Sequence, residues 1–188
     1  HGDARFYNNI FVQQPVRTDL AAWAQKWGTY RLDLVQFICG TKPYDGYPTP
    51  EAYFGAFSPA NAMDGNNRDI YYDHLPVATG GNVYFNGAQP CDSEKDAVVV
   101  TDRTVELTLR EDGTLVTDLY DHLPSMENRP ISSAVLGEAF EPEQRFENPD
   151  GSAILFDVDY FDVRRALSPL SGPFTQAAGE IRLYPEGM

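Results

Sequence analysis

Gly2-Asp3-Ala4-Arg5-Phe6-Tyr7-Asn8-Asn9-Ile10-Phe11-Val12 reads as one coil of a right-handed parallel β-helix. Arg5-Phe6-Tyr7 and Ile10-Phe11-Val12 are β-prone runs on either side of a paired Asn, a residue that tolerates the left-handed backbone of a sharp corner. A second copy follows. Gly80-Gly81-Asn82-Val83-Tyr84-Phe85-Asn86-Gly87 again sets an aromatic strand between Asn and Gly corners, as stacked coils require because none can bury its face alone. Two ordinary short strands with polar turns are the alternative. The chain begins inside the first coil, so it is expected to be the end of something larger.

The 188 residues suit one domain, or a domain with a remnant of another, and 42% apolar residues suffice for a core. With 11 Tyr, 11 Phe, 14 Pro and 15 Gly, the chain favours short strands and structured loops over a helical bundle. A formal charge of −14 repels phosphate backbones and anionic lipid surfaces, so neither nucleic acid nor membrane is an expected partner. A neutral saccharide fits better. No apolar run approaches the ~20 residues that span a bilayer, and the compartment is left open between cytoplasm and secretion. Cys39 and Cys91 stand alone, which excludes a disulfide framework and favours two buried free thiols over one disulfide.

Between the coils, residues 17–70 form an irregular aromatic-rich insertion. Thr18 to Gly28 predicts a short helix with Leu20, Trp23, Ala24 and Trp27 on one face. Leu32 to Ile38 predicts a buried strand. Thr49-Pro50-Glu51 opens a second helix that runs to about Phe57. From Ala97 the pattern becomes antiparallel: Val105, Leu107 and Leu109 alternate with polar residues, and Asp112-Gly113 turns the chain into Thr114 to Tyr120. Asn148-Pro149-Asp150-Gly151 feeds a strand from Ser152 to Val158, and Glu180 to Tyr184 supplies a closing strand. The fold class is therefore all-β: terminal β-helix coils in residues 1–96, then an antiparallel, β-sandwich-like part in residues 97–188 with one or two short helices among the elements.

The chemistry-bearing patterns are sparse. Tyr72-Asp73-His74-Leu75-Pro76 recurs as Tyr120-Asp121-His122-Leu123-Pro124, but adjacent Asp and His point apart in a strand, and strand-ending turns before Pro explain both copies. Asp64, Asn66 and Asp69 cluster oxygen ligands of the kind calcium takes, although Arg68 interrupts the loop and a solvated turn competes. Asp157 and Asp159 form a second acidic cluster of the same ambiguity. No other cofactor is expected. Asp3 and Arg5, at the corner of the first coil, are the polar residues best placed on a groove wall, with a structural salt bridge as the rival role. Trp23, Trp27, Tyr44 and Tyr47, with Tyr53, supply rings on which a sugar could stack or which could simply fill core.

Gly2 to Val12, the run GNVYFNGAQP from Gly81 to Pro90, and PDGSAILFDVDYFDVRR from Pro149 followed by Gly172-Pro173-Phe174 together resemble the C-terminal part of right-handed β-helix glycoside hydrolases, nearest to the β-xylosidases of glycoside hydrolase family 120. The chain departs from that pattern at Asp162, where Gly is expected after Asp-Tyr-Phe. The resemblance implies retaining hydrolysis of a β-linked xylose unit in plant-type oligosaccharide, with an Asp nucleophile and a Glu acid/base upstream of His1. Neither maps to a residue here. It further implies an upstream β-helix portion as partner, in the same chain or a separate one, while this chain caps the helix and completes the sugar groove. A non-catalytic carbohydrate-binding β-sandwich is the rival reading, and a purely structural assembly domain a third.

Overall fold

Asn8 and Gly81 both sit in the left-handed region, with φ of 54° and 66°, and each turns the chain from one short strand into the next. In the computed structural model, which describes residues 3–15, 22, 26, 38–59, 66–175 and 179–184, the two corners stack. Strand β1 (Ala4–Tyr7) pairs parallel with β3 (Val77–Gly80). Beyond the corners, β2 (Ile10–Val12) pairs parallel with β4 (Val83–Phe85), and β4 pairs parallel with β5 (Val98–Val99). The expected parallel pairing of the two Asn-bounded runs is therefore present, with Phe11 opposite Tyr84.

Asn82 ties the corners together with its whole amide. Its Oδ1 accepts from the backbone N–H of Asn9 at 2.8 Å and from Asn9 Nδ2 at 3.0 Å, while its Nδ2 donates to Phe6 O and to Glu94 Oε1. Asn82 is fully buried, so each of these bonds offsets a desolvation cost of about 1–3 kcal/mol. All three residues of β4 are buried as well, as a parallel strand covered on both faces should be. Val83 and Phe85 join Val105 and Leu119 in the core, with Ile10, Val12 and Tyr120 against them. Tyr84 points the other way and stacks on Phe11 at 5.1 Å.

The antiparallel part is small. β6 (Leu107–Leu109) and β7 (Thr114–Thr117) form the expected hairpin across Asp112-Gly113, and β10 (Glu180–Arg182) closes the sheet on β7. Gly113 has φ of 78°, which the turn requires. The second strand stops at Thr117, short of the expected Tyr120, because Leu119–Asp121 winds into a 3-10 turn. A two-stranded ladder, β8 (Glu138–Ala139) with β9 (Gln144–Arg145), completes the sheets among the described residues.

The strand expected over Ser152–Val158 does not form. Isolated bridges, Glu147 with Ala153, Ser132 with Leu155 and Val158 with Arg164, replace a ladder. The run's own backbone groups are taken singly by side chains and loops: Ser152 N donates to Asp150 Oδ1, Ile154 N to Ser133 Oγ and Phe156 N to Ile131 O, while Asp157 O accepts from Arg165 N. Just beyond the run, the Asp159 carboxylate accepts from the N–H groups of Phe161, Val163 and Thr175 at 2.8–3.0 Å. Asp162, the residue standing where the resemblance calls for Gly, has φ of 61°. The turn is thus kept, with Asp in a conformation that Gly adopts at less cost.

The helix Pro50–Ala56 starts as its sequence predicts, with Thr49 Oγ1 accepting from Ala52 N at 3.2 Å and Pro50 in the first turn. The expectations for Thr18–Gly28 and Leu32–Ile38 fall outside the described residues, apart from isolated positions. Cys39 and Cys91 are free thiols, Cys91 buried and Cys39 partly so. Among the described residues no helix is long and apolar enough to cross a membrane.

Candidate functional site

Two clefts mark the described surface. The smaller, of about 450 Å³, is lined by Ala4 of β1, Tyr44, Tyr47, Tyr72, Asp73, His74 and Leu75. Tyr44 enters from a 3-10 turn, Lys42–Tyr44, whose Pro43 fixes the backbone. The next turn brings Tyr47 edge-on to Tyr44, with ring centroids 5.1 Å apart. His74 arrives from the far end of the insertion, just after the helix Asn66–Tyr71, and lies flat on Tyr47 at 4.2 Å and 12°. Leu75 is buried beneath it.

The geometry separates the Asp and His of the repeated motif. Asp73 Oδ1 accepts from the backbone N–H of His74, so the carboxylate organises the turn and does not orient the ring. In the second copy, His122 Nε2 lies 3.7 Å from Asp118, and Nδ1 lies 3.3 Å from an Arg103 guanidinium nitrogen. Neither copy is a carboxylate-activated imidazole on its own neighbour. In the smaller cleft the result is a flat aromatic pair with one acidic and several hydroxyl groups around it.

The larger cleft, about 650 Å³, runs between the β1–β2 corner and residues 156–173. Much of its charged and amide lining is bonded inside the protein, although the buried Nε of Arg5 has no hydrogen-bond partner among the described residues. Arg5 pairs with Asp3 at 2.9 Å, donates to Glu138 O at 2.6 Å, and lies 4.8 Å from the rings of both Phe140 and Phe146. Asp3 Oδ2 also accepts from Phe140 N. Arg165 donates to the carbonyls of Val158, Leu170 and Gly172, and Asn8 Nδ2 to Arg129 O. Burial pushes the Asp159 carboxyl up, but the backbone N–H groups of Thr175, Val163 and Phe161 outweigh it and hold the pKa below the usual aspartate value. What remains open toward this cleft is chiefly apolar, so size alone does not make it the better saccharide site.

Of the residues picked out in the sequence, Tyr44 and Tyr47 come together in the smaller cleft, while Asp3 and Arg5 form a partly buried pair that braces β1 against residues 138–146. Trp23, Trp27 and Asp64 lie outside the described residues. Asn66 and Asp69 fall in the helix Asn66–Tyr71, and among the described residues no group of three His, Cys, Asp or Glu is placed to hold a metal. His74 and Asp73 carry a sequence signal, the repeated motif, that points to acid/base chemistry and away from the stacking that His74 makes. Among the described residues each cleft has a single carboxylate in its lining, Asp73 in one and Asp159 in the other. Glycoside hydrolysis needs two.

No protein-family model matches the chain, and no curated protein sequence matches it. Among solved structures, XylC in its complex with xylose matches with a TM-score of 0.69 at 25% identity over 96% of this chain. The fold resembles that of a segment of XylC. The match occupies 26% of the XylC chain, so the protein spans about a quarter of that neighbour's length.

Proposed function

We propose that this chain is a segment of a β-xylosidase-like glycoside hydrolase, and that the cleft around Tyr47 and His74 holds a pentose ring of an oligosaccharide substrate. The stacked β1/β3 and β2/β4/β5 pairs are the terminal coils of a right-handed parallel β-helix. Residues 97–188 close it. The Tyr47–His74 pair carries the reading: a flat π-face beside one carboxylate is what a sugar's C–H face and hydroxyl rim require. A likeness to a protein solved with xylose supports the same substrate class.

The single carboxylate that each cleft holds among the described residues favours binding over bond cleavage by this segment, with the nucleophile and acid/base supplied from elsewhere in a longer enzyme. The same observation supports the second reading, a non-catalytic carbohydrate-binding module. Titration of the chain with xylotriose, followed by NMR shifts, tests the cleft. Shifts confined to residues around Tyr44, Tyr47 and His74, with a dissociation constant on the order of 0.1–1 mM, are expected. Absence of binding, or binding that Tyr47→Ala leaves intact, would overturn it.

A further inference from the structure

We propose that residues 155–170 and the larger cleft beside them form a docking face for further polypeptide, the remainder of a XylC-like chain presenting an apolar surface. This rests on the reading of the protein as a segment of a longer enzyme, yet the face is separate from the Tyr47 cleft. Of the fourteen large apolar residues exposed among the described residues, eight fall between Leu155 and Leu170, Leu167 being 93% exposed. Scattered apolar residues are ordinary on a surface. A concentration in one short segment marks a place where another surface belongs.

The segment is held as a rigid frame. Asp159 gathers three backbone N–H groups and Arg165 caps three carbonyls, so Phe156, Val158, Tyr160 and Val163 are displayed on a fixed backbone. A surface ordered before contact loses less entropy on docking. The cleft continues this face to the β1–β2 corner, and most of its charged and amide groups bond within the protein, Arg5 Nε excepted. It therefore offers shape and apolar area, with few free hydrogen bonds for a sugar.

Beside the cleft, β1 and β2 are each paired along one edge only among the described residues, an arrangement that folded proteins cover or pair. The occupant is narrowed by the comparison. The match takes in nearly all of this chain but only 26% of XylC, leaving most of such a polypeptide to contact this segment somewhere. A second copy is disfavoured, because two chains of net charge −14 repel.

The test grafts this chain into XylC in place of the matching quarter. Leu167→Cys and Val163→Cys are alkylated with a maleimide, in the 188-residue chain and in the graft, against the background of the native thiols. Labelling in the graft at least tenfold slower at both positions is expected. Equal rates would overturn the proposal, as would concentration-dependent protection in the isolated chain with sedimentation as a dimer. Should the graft not fold, cysteines at the two aligned positions of intact XylC answer the same question: protection supports the face, and full reactivity removes it. Xylotriose titration of the same samples keeps the two readings apart, since sugar binding can fail while protection persists, or the reverse.

Discussion

Tyr84 donates its hydroxyl proton to Glu94 across 2.6 Å, from the middle of the strand that pairs with both β2 and β5. Thr41 Oγ1 adds a second donor to the same oxygen, and Asn82 Nδ2 bonds the other. Among the described residues no cation pairs with this buried carboxylate, which neutral donors satisfy. Burial and the neighbouring carboxylate raise the Tyr84 pKa, so the hydroxyl stays protonated and donating. Tyr84→Phe removes the donor while keeping the ring on Phe11. It is expected to cost about 2–3 kcal/mol, read as a fall in the urea midpoint at unchanged m-value.

Asp159 makes a pH prediction with a definite sign. Its folded pKa is depressed below the ordinary 3.8, so it contributes stability that is fully present above that value and lost as pH falls through the folded pKa. Stability followed by denaturant melts should therefore decline below about pH 4 more steeply in the native protein than in Asp159→Asn. An identical pH profile in the two would show that the carboxylate does not hold residues 159–175.

Asp162 invites the opposite kind of change. With φ of 61°, it occupies a region that costs an L-residue about 1 kcal/mol and Gly little. Asp162→Gly gives part of that back through greater freedom in the unfolded chain. A net gain of about 0.5 kcal/mol is expected in Asp162→Gly, and a loss of about 1 kcal/mol or more in Asp162→Val, by the same melts.

These residues also show what the sequence discloses and what it hides. The Asn-bounded runs and the Asp112-Gly113 turn are legible because local backbone chemistry, a left-handed corner or a positive-φ hairpin, dictates them within a few residues. The start of the helix at Thr49 is legible for the same reason. Ser152–Val158 misleads because an apolar run after a turn resembles a strand, while its N–H groups go singly to Asp150, Ser133 and Ile131 and build no ladder. In the smaller cleft, Tyr44 and Tyr47 are visible as rings in an aromatic insertion. The stacking of His74 on Tyr47 depends on how that insertion returns to β3, which no local pattern records.

In that cleft, Tyr47→Ala should weaken xylotriose binding about tenfold, the loss of one stacked face worth about 1–1.5 kcal/mol. Asp73→Asn should cost less, since the amide keeps an acceptor for sugar hydroxyls. Isothermal titration of the two variants beside the native chain gives the order, and a reversed order would make the carboxylate, and not the ring, the main contact.

The chain by itself should release no xylose from an aryl β-xyloside. A retaining mechanism needs two carboxyl groups about 5–5.5 Å apart and an inverting one about 6.5–9.5 Å apart, with the sugar between them. Among the described residues, Asp73 is the only carboxylate lining the smaller cleft, and Asp159, the only one lining the larger, is committed to backbone N–H groups. Aryl β-xyloside hydrolysis is measured with the purified chain and with Asp73→Asn prepared in parallel, so that a contaminating enzyme appears equally in both. Turnover in the native chain that vanishes in Asp73→Asn would mean that Asp73 has a carboxylate partner outside the described residues and that the segment cleaves as well as binds.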